Sequence, residues 1–265
     1  AGDVMTIEQR IEGQNLQYLK KGTSSAESTT LSFWVRSTKT GTYICELQDV
    51  DNSRSISKSY TISSADTWEK KTITFAGDTT GALDNDNARS LDVIWYMSAG
   101  SNYTSGTLQT SWGSKVDANR AVGQVNFADN TSNDFYLTGC QLEAGTSTDF
   151  EFLPVDVNLA RCQRYFEKML PENMVMLRYS GSSSFGRPGN FKVTKRATPT
   201  ISREDGTTTI GAYNGEGGAG SATNSAWALN QADVEGFSLS ATTPTSPDQF
   251  FMAMGGDHFF ADSEL

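Results

Sequence analysis

Only three of the 265 residues are cysteine and only one is histidine. The lone His258 sits between Asp257 and Phe259 with no activated serine or cysteine beside it in a familiar pattern. Neither Gly-x-Ser-x-Gly nor His-Glu-x-x-His occurs, so neither a hydrolase triad nor a zinc-protease helix is expected. Cys45, Cys140 and Cys162 are odd in number and lack metal spacing. They fall on apolar positions of expected elements and read as buried free thiols, with a Cys45–Cys140 bridge as the alternative. No apolar run approaches bilayer length, and the opening Ala1-Gly2-Asp3-Val4 carries neither a signal peptide nor a starting methionine. Basic residues are also short. Lys and Arg number 21 against 31 Asp and Glu, leaving a net charge of −10 and no basic cluster. Nucleic acid and anionic lipid both require concentrated cations, so neither is expected as a partner, and no membrane insertion is expected.

What is present is a modest 37% of hydrophobic residues among abundant Gly, Ser, Thr, Asn and Asp, a mix that favours short strands joined by polar turns. Residues 4–11 alternate as a strand, and 14–20 read as turns or a brief helix. Leu31, Phe33 and Val35 alternate with Ser32, Trp34 and Arg36. Tyr43, Cys45 and Leu47 do the same, a turn at Asp51-Asn52 leads to a strand over 54–62, and Ile73 and Phe75 mark another. Val93, Trp95 and Met97 alternate with Ile94 and Tyr96, so this strand is apolar on both faces and expected to be central. On this phase Trp34, Trp68 and Trp95 read as core or sheet-face residues. Strands at this spacing predict a two-sheet sandwich. Between Gly100 and Val125 the chain has no clean period but carries Tyr103, Trp112 and Arg120. A loop of that length with large aromatics is the first place to expect a ligand.

A junction follows. Leu137, Gly139, Cys140 and Leu142 alternate with one change of phase, as a β-bulge at a glycine produces. Leu159, Cys162, Phe166 and Met169 then follow three, four and three spacing, the stripe of an amphipathic helix capped by Asp156 or Asn158 and ended before Pro171. So short a helix needs cover, either from its own domain or from copies of itself in neighbouring subunits. Beyond it, candidate strands at 174–179, 190–195, 198–203, 208–213, 225–229, 234–240, 250–254 and 258–260 predict a second β-rich unit. That unit is small and short of large aliphatics, so neighbouring copies are expected to complete its core. Gly215–Gly220 reads as a flexible loop without the Lys-Ser/Thr of a phosphate loop.

The segment Gln141-Leu142-Glu143, followed by Leu159–Tyr165, resembles the carboxy-terminal junction of tail-fibre and receptor-binding proteins of tailed bacteriophages. The likeness continues upstream through Gln9–Leu16, Leu31–Ser37, Ala65–Glu69 and Ala118–Arg120, and downstream through Lys195–Ile201 and Phe260–Leu265. These motifs are structural punctuation, not catalytic signatures. The resemblance implies an all-β chain: a carbohydrate-binding-module-like jelly-roll β-sandwich over 1–150, a linker and short α-helix over 151–172, and a smaller β-rich domain over 173–265. It also implies that earlier strands or a virion-anchoring segment precede Ala1, so that other virion proteins are partners through that part.

The function expected is a structural, non-enzymatic virion protein, a tail-fibre or receptor-binding component adhering to host-surface glycan, assembled as a homotrimer. The alternatives are a capsid or tail decoration protein without host contact, and a glycan-degrading tailspike, although such spikes usually carry long β-helical repeats that are absent here. Sugar binding needs aromatic faces beside hydrogen-bonding groups. Tyr103, Trp112 and Arg120, with Tyr96 beside them, are the candidates in the first domain, and Tyr213, Asn214 and Trp227 in the second. Leu159, Cys162, Phe166 and Met169 are the expected oligomer interface. No cofactor and no metal are expected. Asp49 with Asp51, and Asp84 with Asp86, space oxygens as calcium ligands do, and the resembling sugar modules often hold calcium, but both pairs lack the glycine and distal glutamate of an EF-hand and read as turn acids.

Overall fold

A computed structural model describes residues 2–169, 175–180, 183–204, 209–214, 223–242, 250–252 and 259–264, with side chains described for 2–169, 190–202, 204, 232–237 and 259–264. Pro171, Gly215–Gly220 and His258 lie outside the described residues. The chain is all-β in character and divides into two compact units, residues 1–152 and 153–264. No helix among the described residues is long and apolar enough to cross a membrane.

The first unit comprises β1 (Val4–Glu12), β2 (Thr29–Ser37), β3 (Gly41–Asp49), β4 (Arg54–Ile62), β5 (Glu69–Phe75), β6 (Arg89–Ala99), a single-turn α1 (Ser101–Thr104), β7 (Gly113–Ser114) and β8 (Phe135–Ala144). They form two antiparallel sheets ordered β1-β6-β3-β4-β7 and β5-β2-β8. Period-two alternation selects which side chains enter the space between them. Leu31, Phe33 and Val35 from β2 meet Tyr43, Cys45 and Leu47 from β3, Ile56 and Tyr60 from β4, and Val93, Trp95 and Met97 from β6 in one core cluster. The Phe33 ring crosses the gap edge-on to Tyr60 at 5.2 Å and to Trp95 at 5.8 Å. Burying each such side chain contributes about 1.5–3 kcal/mol. Two 3-10 turns over Gly13–Asn15 and Gln17–Leu19 drop Leu16 and Leu19 into the same core.

The central position of β6 explains its two apolar faces. It pairs with β1 on one side and β3 on the other. Its odd-numbered residues Val93, Trp95 and Met97 enter the main core, while Ile94 and Tyr96 form a second cluster with Ile44 and Ala121 on the opposite face. That outer face is closed by the 100–125 segment, not by a further sheet.

The second unit begins with α2 (Val155–Gln163), then β9 (Phe166–Met169), β10 (Val175–Ser180), β11 (Ser183–Asn190), β12 (Thr200–Arg203), β13 (Thr209–Asn214), β14 (Thr223–Ala232), β15 (Gly236–Thr242), β16 (Phe250–Met252) and β17 (Phe259–Asp262). Six strands close into a barrel in the order β10-β11-β15-β14-β13-β16, and β12-β17-β9 form a separate small sheet. Within this one chain the barrel ladder returns on itself, β16 pairing with both β13 and β10.

The expected helix does not reach Met169. It ends at Gln163, and Phe166–Met169 pair as a strand with β17, Phe166 opposite Asp262 and Met169 opposite Phe259. The four residues of the predicted stripe therefore do not share one helix face. The helix loses its last turn because tertiary partners claim the backbone there. Arg196 N donates to Arg164 O at 3.0 Å and Ser263 N to Tyr165 O at 2.8 Å, while Lys195 Nζ donates to Gln163 O and to buried Glu167 at 2.7 Å. Three motifs far apart in sequence, 159–165, 195–201 and 260–264, thus form one hydrogen-bonded node.

The strand expected at 190–195 is also displaced. Its place in the ladder is taken by β11, whose Gly186, Pro188 and Gly189 read as turn residues. The register against β15 slips between Gly186 and Gly189, and this irregularity accommodates Pro188, which has no N–H to donate.

Candidate functional site

The 100–125 segment is an ordered cover. Gly106 N donates to Ala118 O, Gln109 N to Asn119 O, and Ala121 N to Tyr103 O, so the two arms of the loop pair with one another. Gln109 also grips β4 through Ser57 N and Ser55 O. Tyr103 and Arg120 are brought together: the guanidinium lies 5.8 Å from the Tyr103 ring centre and 5.9 Å from that of Tyr96. Arg120 Nε donates to both carboxylate oxygens of Glu46 at 3.0 Å, and a terminal nitrogen donates to Gln48 Oε1 at 2.7 Å. Tyr96 O–H donates to Glu46 Oε2 at 2.7 Å. Glu46 is fully buried, and burial lifts its carboxyl above the ordinary glutamate range, an effect that Arg120 and the Tyr96 hydroxyl partly oppose. Tyr96 is buried, so its ring is not open to stack on a ligand. The polar groups of this cluster are turned inward and hold the loop to the sheet.

Trp112 lies apart from Tyr103 and Arg120. It packs against the main core, and its indole N–H donates to Ala76 O at 2.7 Å. Lys21 Nζ stands 5.0 Å over its ring. That ammonium also meets the buried carboxylates of Asp49 and Asp78 and the carbonyls of Thr80 and Gly81. Arg54 clasps Asp78 with two hydrogen bonds, at 2.7 and 3.0 Å. Burial opposes ionisation of Asp78, but hydrogen bonds from Arg54 and Lys21 outweigh it and hold the carboxyl below its usual range. Asp49 further accepts from Asn52, Asp51 accepts from Asp84 N, and Asp86 from Ala88 N. The carboxylates of Asp49, Asp51 and Asp86 are thus spent on an internal ammonium and on turns.

The exposed aromatic surface lies elsewhere, on the solvent side of the β5-β2-β8 sheet. Because Leu31, Phe33 and Val35 point inward, Trp34 and Arg36 point outward. Trp34 is 42% exposed, Trp68 42% and Tyr136 44%. Of the three tryptophans read as core or sheet-face residues, only Trp95 is in the core. Register places Arg36 opposite Tyr136, and Trp34 opposite Lys70 on one side and Thr138 on the other. The Arg36 guanidinium lies 5.1 Å over the Tyr136 ring, and the Trp68 and Tyr136 centroids are 6.4 Å apart.

The bulge expected at Gly139 builds this face. Gly139 has φ +58°, a left-handed conformation that glycine adopts without strain, and the β2–β8 register slips there. A Cβ on Gly139 would stand 3.3 Å from Trp34 Cδ1, so its absence lets the indole lie close to the strand. The slip then turns Leu142 to the core and sends Gln141 and Glu143 to the other side. There they tie down the 145–152 segment: Thr148 N donates to Glu143 at 3.0 Å and Glu151 N to Gln141 Oε1 at 2.8 Å. Phe150 is thereby held beside Gly139, its ring edge-on to Phe152 at 4.9 Å.

Cys45 is buried, whereas Cys140 and Cys162 are exposed as residues, and all three thiols are free. Partial desolvation still pushes the Cys140 thiol up to about 11. The backbones of Tyr213, Asn214 and Trp227 run in β13 and β14, and their side chains lie outside the described ones.

Fold and surface together define a sandwich-like β-protein that presents an open aromatic sheet face. No protein-family model matches the chain, and no curated protein matches it.

Proposed function

We propose that this chain is a non-enzymatic component of a tailed-phage adhesion fibre and that its first unit binds host-surface glycan on the β5-β2-β8 face. The observation that carries the reading is the exposure of Trp34, Trp68 and Tyr136 together on one sheet face, flanked by polar side chains. Large aromatics exposed on a folded surface mark interaction sites, and flat rings beside hydrogen-bonding groups suit the apolar faces and hydroxyls of pyranoses. The sequence resemblance at 9–16, 31–37, 65–69 and 141–143 supports the phage assignment, and two of those segments, 31–37 and 65–69, supply Trp34, Arg36 and Trp68 to the face.

Glycan-array binding by the native chain, compared with Trp34→Ala and Trp68→Ala, tests the site. Both side chains are exposed, so each variant should fold normally and lose at least about tenfold in affinity, as removal of one stacking or hot-spot aromatic does. Native binding that survives in both variants would refute the site, and no binding to any host glycan would favour a decoration role.

A homotrimer belongs to the same reading. Apolar Val155 and Leu159, exposed on α2, and the neighbouring exposed Cys162 offer a meeting surface, joined by Phe166 from β9. Light scattering should give three times the chain's 28.8 kDa, and a stable monomer would overturn the assembly.

A further inference from the structure

We infer that the aromatic face selects carboxylate-bearing glycans, that is, polysaccharides containing uronate or related sugar acids. The inference rests on the glycan-binding reading and adds the ligand's charge. Although the chain as a whole carries −10, Trp34 is bracketed by two cations. Lys70 is its direct cross-strand partner and Arg36 lies two residues along β2, on the same face. Neighbours opposite one another in antiparallel strands approach within about 5 Å at Cβ, so a ring stacked on Trp34 comes within reach of both.

Neither cation is committed to the fold. Lys70 is exposed and makes no hydrogen bond or ion pair among the described residues, and only steadies the Glu143 carboxylate through space. Arg36 meets Asp66 at 3.4 Å, but their side chains are 37% and 58% exposed, and so loose a surface pair is worth little. The Arg36 Nε is buried without an acceptor, and its guanidinium plane is held by the Tyr136 ring. A planar fork fixed in this way is suited to a carboxylate, and a free ammonium beside it supplies a second charge. Of the other acids nearby, Glu143 is occupied by Thr148, while Glu69 lies opposite inward-facing Val35 and is held by Lys71 and the backbone N–H groups of Ser63 and Ser64. A neutral sugar brings no counter-charge to Arg36 and Lys70, whereas a carboxylate does.

The test pairs polygalacturonate with its fully methyl-esterified form, which keeps the ring and linkage and removes the charge, within a panel of neutral, uronate-bearing and sialylated glycans, with an oligothymidylate as the nucleic-acid control. Carboxylate glycans should bind at least about tenfold more tightly than their esters or neutral counterparts, the size of effect expected for one charge-assisted hydrogen bond. Lys70→Gln and Arg36→Gln should each reduce that preference, and raised salt should weaken it. Trp34→Ala should remove binding to both classes. Equal affinity for acid and ester, still lost in Trp34→Ala, would overturn the charge selection and leave the aromatic site standing. Glycan binding untouched by Trp34→Ala would overturn the site itself. Binding to no carboxylate glycan, or tighter binding of the oligothymidylate, would refute the ligand class.

Discussion

Replacing Arg120 with methionine tests whether the 100–125 segment is held by a buried charge pair. The substitution preserves much of the side-chain volume against Tyr96 and Tyr103 but removes both hydrogen bonds to Glu46 and the one to Gln48. Glu46 then keeps the Tyr96 hydroxyl but faces no cation while remaining fully buried. Breaking a buried pair by removing one partner costs about 3–5 kcal/mol. Because the Arg120 side chain retains 12% exposure, the lower end, about 3 kcal/mol, is the expected loss at pH 7. With a urea dependence of about 2 kcal/mol per molar, the unfolding midpoint should fall by about 1.5 M.

The pH dependence follows from the direction of the Glu46 shift. Burial already raises this carboxyl above its ordinary 4.5, and losing Arg120 removes the strongest opposing influence. A carboxyl raised in the folded state favours folding below its unfolded pKa, and that advantage is lost as pH rises through the folded value. The variant's deficit should therefore shrink on acidification from pH 7 toward about 4.5. Glu46→Gln in the same background should recover most of the loss at neutral pH. Urea titrations followed by tryptophan fluorescence at several pH values measure all three effects. A deficit under about 1 kcal/mol, independent of pH and unrelieved by the glutamine, would mean that the Arg120–Glu46 pair does not hold the segment and would leave Arg120 available to a ligand.

Lys21→Met should be similarly costly, about 3 kcal/mol in the same titration, because it removes the ammonium that Asp49 pairs with directly and leaves Asp78 with Arg54 alone. Asp78 is held below its ordinary 3.8, so its contribution is present above that value and lost as pH falls further, and the variant should show a flatter acid limb than the native chain. The binding losses at Trp34 and Trp68, the trimer mass, and the preference for carboxylate glycans complete the set. Only the charge-pair variants should alter stability strongly.

Alternation alone identified the strands of the first unit, apart from the two-residue β7, and most of its core, because a pleated strand sends successive side chains to opposite faces whatever it packs against. Leu31, Phe33 and Val35, the two-faced 93–97 strand, and the bulge at Gly139 were all legible in this way. Alternation does not say which face a second layer will cover. Trp34 and Trp68 could be assigned to solvent only once the sheets were stacked, and Tyr103 and Arg120 could be placed against Tyr96 and Glu46 only once the 100–125 loop was seen closing the outer side of β3 and β6. Three-and-four spacing correctly announced a helix near Leu159, yet backbone partners at Arg196, Ser263 and β17, all remote in sequence, ended it at Gln163. The Gly- and Pro-rich β11 has almost no local strand signal, and its place between β10 and β15 is decided by the closing of the barrel. Local chemistry thus set what each segment could become, and long-range pairing, which satisfies buried backbone groups only in the assembled fold, chose among those possibilities.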